Sequence, residues 1–258
     1  MTDPGATDPR STAPPATDGV TAAPVAAHPA QRAQIRLPAA LSFLAGVTDV
    51  TSWLLLGGLF SAHITGNLVV LAADTVTHTA PHLTAVLALP IFIVTTVGAT
   101  AVARRFATRH DRTRRILLGT QALLLVAAAV LSFAGRASAD PDAPLGVIIG
   151  MCAVCAMASQ NAYLHLVPAK APSTAVMTGN LVAATIAAAD LLATWGKSPT
   201  AWTRWHDSWP LLAGFIGGCL VGAAASSLLG DHAAVVPAVL AIVVFFATAF
   251  RSPTAAID

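Results

Sequence analysis

The chain has 258 residues, of which 55% are apolar and only 10% charged, and its formal net charge is +2. A soluble domain carries about 25% charged residues, so this surface is not mainly water-facing. So slight a positive excess gives no ground for a nucleic-acid partner. No charge interrupts 116–134, 143–166, 171–189, 208–230 or 232–250, nor the stretch between Asp74 and Arg104. Several of these runs reach the roughly 18–20 residues that cross about 30 Å of hydrocarbon as a helix. The expected fold is all-α, a polytopic helical membrane protein, in keeping with a mean hydropathy of +0.71.

Residues 1–36, rich in Pro, Ala, Thr and Asp without apolar periodicity, read as a disordered tail. It lacks a signal-peptide pattern, so the first span at about 37–57 is expected to remain as an anchor. A short apolar segment follows at 61–76, then spans at 83–103 and 116–134. A second set comprises 145–166, a segment at 174–194, and spans at 211–229 and 233–250. Six of the fourteen Lys and Arg residues fall between Arg104 and Arg115, with Asp111 the only acid there. The positive-inside rule places that loop in the cytoplasm. Trp195, Trp202, Trp205 and Trp209 cluster in what reads as the longest loop, a segment expected to lie along the membrane surface. Cys152 and Cys155 form a C-x-x-C inside an apolar run, where cysteine behaves as a small hydrophobe.

The pentapeptide Thr-Gly-Asn-Leu-Val occurs twice, at Thr65–Val69 and Thr178–Val182, once in each set. Val97-Gly98-Ala99 matches Val221-Gly222-Ala223, at a different spacing because 196–209 is longer than its counterpart. The chain therefore reads as two repeats, 37–134 and 135–251, with six full spans and two short or partial Thr-Gly-Asn helices. If those short segments cross, the repeats are parallel. If they are re-entrant, each half has three spans, the repeats are inverted and both termini are cytoplasmic. Arg32, Arg36 and Arg251 favour the second arrangement.

Polar groups in such a setting are costly and informative. Asp49 lies twelve positions after Leu37, about 18 Å along a helix, and an acid at that depth turns from lipid toward a partner or water. Ser42, Gly46 and Ser52 or Trp53 share its helix face. Its counterpart in the second half is Gln160-Asn161. In each Thr-Gly-Asn, Gly permits unwinding, Thr can cap a helix start, and Asn both donates and accepts. His63 precedes the first copy, whereas Val176 stands at the equivalent place in the second. Asp49, His63, Thr65, Gly66, Asn67, Gln160, Asn161, Thr178, Gly179 and Asn180 are thus the candidate solute-binding residues. The competing explanation for all of them is interhelical glue. Gly214, Gly218 and Gly222, at four-residue spacing, read as helix packing.

Gly46-Val47-Thr48-Asp49, the run Leu56 to Asn67, Gln160-Asn161-Ala162 and Met177 to Asn180 together resemble the motifs of the YoaK-like family of bacterial membrane proteins. The resemblance covers roughly 37–250. It implies a cytoplasmic-membrane protein and marks Asp49, Asn67, Gln160 and Asn180 as motif positions without assigning them roles. Duplication, paired broken segments and one buried acid point to a small-solute transporter with its site between the halves, in its sharper form proton-coupled. The alternative is a non-transporting scaffold or sensor that acts through its tail and arginine loop. No nucleophile–base pair, zinc spacing or phosphate loop is present, so no enzyme activity, metal or cofactor is expected. The expected partners are the lipid bilayer and an unidentified small solute; the oligomeric state is not legible.

Overall fold

A computed structural model describes residues 29–167 and 177–249, with side chains from 37 onward. These residues form eight α-helices: α1 (Pro29–Leu55), α2 (Ile64–Thr77), α3 (Leu83–Arg105), α4 (His110–Leu131), α5 (Pro144–Leu166), α6 (Met177–Ala193), α7 (Pro199–Leu229) and α8 (Val235–Ala249). A 3-10 turn, Gly230–Ala234, joins the last two. There is no strand among the described residues, and the chain is an all-helical, membrane-embedded protein. The expected tail lies outside the described residues over 1–28. Over 29–36 it is already part of α1, because Pro29 suits a first helical turn and Ala30, Gln31, Arg32 and Ala33 are good helix formers.

Leu37–Leu55, Leu83–Arg105, His110–Leu131 and Pro144–Leu166 are each long and apolar enough to cross a membrane, as is the 51-residue stretch Pro199–Ala249. A continuous helix of that last length would run about 76 Å, more than twice the hydrocarbon thickness. It breaks at Gly230, whose φ of 53° and ψ of −130° turn the chain back. The return strand of helix, α8, then runs antiparallel to α4: Ala129 packs near Ala234 and Ala238, while Gly119 faces Phe245.

Side-chain partners set the direction of every long helix. α1 and α7 run parallel, with Gly214 against Ala39, Gly218 against Phe43 and Gly222 against Val47. A Cβ on Gly214 would stand 2.6 Å from the Ala39 carbonyl oxygen, and one on Gly222 would stand 2.8 Å from that of Val47. Gly218 and Gly46 are tighter still against the carbonyls of Phe43 and Phe215. The glycines therefore let the two backbones touch, as small-residue seams do in lipid. α3 and α5 are likewise parallel, His82 meeting Asp142 at their starts and Thr95 meeting Cys155 further along.

One end of the bundle gathers the ends of α1, α4 and α7 and the starts of α3, α5 and α8; the opposite end carries Arg104 to Arg115. Because α1 ends and α3 begins at the same end, α2 does not cross. Thr84 donates to the Leu56 carbonyl there, and His82 packs on Gly57. Likewise α6 starts inside, with Met177 at Ser42, and leaves where α7 begins, with Asp190 paired to Arg204 at 2.9 Å.

The tryptophan segment differs from expectation. Trp202, Trp205 and Trp209 sit on the first turns of α7 rather than in a loop. Ser198 caps that helix, its hydroxyl accepting from the Ala201 N–H at 3.3 Å, and Pro199 occupies the first turn. On the helix Trp205 and Trp209 are one turn apart and stack with ring centroids 5.2 Å apart.

Candidate functional site

Leu55 ends α1, and Gly57 and Gly58, with φ of 66° and 79°, reverse the chain. The Gly58 N–H closes the turn on the Trp53 carbonyl at 3.0 Å. Residues 59–63 then dip back along α1 to the level of Asp49. That carboxylate is 3% exposed and receives the returning loop. Its Oδ1 accepts from the N–H groups of Ser61 (2.8 Å) and Ala62 (2.6 Å) and from the Ser61 hydroxyl at 3.1 Å. Its Oδ2 accepts from the His63 N–H at 3.3 Å and from His63 Nδ1 at 2.6 Å. A carboxylate has two oxygens that only accept, so it can satisfy more buried N–H and O–H groups at once than a hydroxyl or a single amide oxygen can.

Asn67 grips the same loop from the other side. Its amide donates to the Phe60 carbonyl at 2.8 Å, and its oxygen accepts from the Phe60 N–H at 2.9 Å. It is fully buried. Gly66 is helical and unwinds nothing: a Cβ there would stand 2.7 Å from the Phe60 ring, so the glycine makes room for that ring. The reversal falls to Gly57-Gly58 instead. Thr65 is exposed and lies within α2, one residue past its start, so it is not the cap. His63 holds the cap position and makes no side-chain capping bond.

His63 has a further property. With Nδ1 donating to Asp49, its Nε2 is the ring's open position, and that atom is buried with no hydrogen-bond partner. The ring stands edge-on to Phe215 of α7 with centroids 4.8 Å apart. It is one of five buried side-chain polar atoms without a partner among the described residues, with those of Thr51, Thr96, Arg114 and Ser226, and the one among them that belongs to an imidazole.

On either side of Asp49 along α1, Thr48, Thr51 and Ser52 border a cavity of about 30 Å³, which reaches Ser132 on the α4 side and Asp231 before α8. Such a volume holds a water or two. The Thr51 hydroxyl is buried at its edge without a partner.

The second-half residues lie elsewhere. Gln160 is fully buried; its amide donates to the Leu41 carbonyl at 3.0 Å, and its oxygen accepts from Gln121 at 2.7 Å. Leu41 is eight residues before Asp49, about 12 Å along α1. The two polar centres are therefore separate along that helix. Asn161 is buried beside Gln160, and its carbonyl faces His165 Nδ1 at 3.0 Å. Thr178 and Gly179 are exposed and Asn180 is half-buried in the first turn of α6. Residues 168–176, which precede that turn, lie outside the described residues. Gln121, Ser61 and Thr51 escaped the sequence reading. Gln121 was discoverable, being an amide inside a charge-free span, like Gln160.

A family sequence model described as "Protein of unknown function (DUF1275)" matches residues 37–247. No curated protein and no solved structure matches the chain.

Proposed function

The chain belongs to the DUF1275 family, whose function is unknown, and from that premise we propose that it is a small-solute transporter of the bacterial cytoplasmic membrane. Its working centre is the tip of the re-entrant α2 segment, where Asp49 and His63 meet. The carrying observation is the sealed, unpartnered Nε2 of an imidazole whose other nitrogen is fixed on a buried carboxylate. Glue residues end with every polar atom paired, as Asn67 and Gln160 do; this pair leaves one position that a proton or a solute group can take. Movement of α2 away from Phe215 would expose it.

The halves form an inverted repeat of three spans each under this proposal. Its support is that α2 enters and leaves at one end of the bundle and α6 at the other, while the parallel pair α1–α7 has its counterpart in α5–α3. Inverted repeats with broken helices at their interface are a common transporter plan. Asp49, His63, Thr65, Gly66 and Asn67 make the half-site of the first repeat, and Asn161, Thr178, Gly179 and Asn180 that of the second, with Gln160 as the tie between helices. The likeness to YoaK-like proteins belongs to the same proposal, since its motifs fall inside the matched residues. So does the orientation, with the loop from Arg104 to Arg115 in the cytoplasm, and so does the absence of an enzymatic role.

Purified protein in liposomes, screened against a panel of labelled metabolites, is expected to show flux that Asp49→Asn and His63→Phe abolish while a folded protein remains. A broad panel without Asp49-dependent flux refutes transport. The scaffold or sensor alternative is separated by deleting residues 1–28, which removes its phenotype and leaves a transporter intact.

A further inference from the structure

The loop between α3 and α4 carries more order than topology requires. Arg104 and Arg105 end α3, Arg109 precedes α4, and Arg112 and Arg115 lie on its first turns. Phe106 stands between them. The Arg112 guanidinium carbon is 4.6 Å from the centre of its ring, and that of Arg105 is 5.8 Å away. An aromatic ring pre-sets guanidinium planes at little entropic cost. Arg105, Phe106, Thr108, Arg109 and Arg112 border an open hollow of about 370 Å³. The loop's one acid, Asp111, is taken by Arg114 at 2.9 Å. Among the described residues Arg105, Arg109 and Arg112 have no ion-pair partner.

Height fixes the occupant. α3 and α4 have 23 and 22 residues, each about 33 Å or slightly more, enough to bring the loop to the headgroup layer. Charge bias alone orients a span and needs no particular geometry. Three unpaired guanidiniums round a hollow, two of them braced on one ring and a hydroxyl beside them, form donors suited to a phosphodiester. We propose that this hollow binds the phosphate headgroup of an anionic phospholipid, independently of any transport activity.

The test uses the full chain in detergent micelles, with native mass spectrometry at graded phosphatidylglycerol and phosphatidylcholine. The expected preference for phosphatidylglycerol is at least about tenfold. Neutralising three arginines can alter insertion, so the variants keep charge: Arg105→Lys/Arg109→Lys/Arg112→Lys loses the planar forks, and Phe106→Leu loses the brace. Each is expected to lower the preference several-fold while Arg136→Gln, at the opposite end, leaves it unchanged. Equal binding of the two lipids overturns the proposal, as does an unaltered preference in both charge-keeping variants. Displacement of the lipid by millimolar inorganic phosphate overturns the lipid assignment in favour of a free-phosphate site.

Discussion

Replacing Asp49 by alanine should loosen the loop 59–63 before it unfolds the bundle. The carboxylate satisfies three backbone N–H groups, one hydroxyl and one imidazole N–H, all in a buried place. Each buried donor left without an acceptor costs about 1–3 kcal/mol, so two of these five left orphaned after the loop relaxes cost about 3–5 kcal/mol in total. For a chain of this size about 1 kcal/mol moves the unfolding midpoint by roughly 2–4 °C. Asp49→Ala should therefore lower Tm by roughly 6–20 °C. Asp49→Asn keeps one oxygen for Ser61 and Ala62 but turns an NH₂ toward the His63 N–H, for a smaller loss of about 1–3 kcal/mol. Trp53 reports the loop directly, because its ring lies 4.6 Å from that of Phe60. In a variant with the other tryptophans replaced by phenylalanine, the Trp53 emission of Asp49→Ala should shift at a temperature below global unfolding. A Tm within about 2 °C of the parent, with unchanged Trp53 emission, would refute the role assigned to the carboxylate.

Gly218→Ala places a methyl against the Phe43 backbone carbonyl, whereas at Gly217 a Cβ meets only the Phe43 ring at an ordinary 3.5 Å. The first change should cost about 1–3 kcal/mol or more and the second little, read as Tm and detergent-extracted yield; equal effects would show that the α1–α7 seam is not close-packed. Burial pushes the Asp142 carboxyl up, but the hydrogen bonds from His82 and from the Leu83 N–H, with the charge of His82, outweigh it and hold it below its ordinary value. A carboxyl lowered on folding stabilises above its unfolded value, and that contribution is lost as pH falls through the lowered value. Asp142→Asn should thus be less stable than the parent at pH near 7 and converge with it below about pH 4; parallel stability curves across that range would contradict the clamp. Thr51→Val removes a buried hydroxyl that has no protein partner, so Tm should hold or rise, and a clear fall would mean that water in the adjoining cavity bonds it.

The sequence by itself determined the class, the helices and the expensive residues. Charge-free runs and hydropathy are local quantities, and they located α1, α3, α4, α5, α7 and α8 to within a few residues at most ends. The main departures were local too: α7 began at Pro199 because a serine cap and a proline outweighed the look of a tryptophan-rich loop, and α1 reached back to Pro29. Asp49 announced itself because an acid in hydrocarbon must turn inward. Its partners did not, since Ser61 and Ala62 contribute backbone N–H groups that any residue would offer, and only the Gly57-Gly58 reversal brings them to it. For Gly66 and Thr65 the motif pointed to the right turn and the wrong physics: the glycine yields space to Phe60, and the threonine faces out. On whether α2 and α6 cross, only a lean was legible in the sequence, through Arg32, Arg36 and Arg251. A short apolar helix has the same composition in either case, and the answer lies in which helix ends stand together, a matter of contacts such as Thr84 to Leu56 and Met177 to Ser42. The orphaned Nε2 of His63 and the braced guanidiniums at Phe106 are likewise properties of packing, because a partner missing or present is decided by what the fold sets beside each side chain.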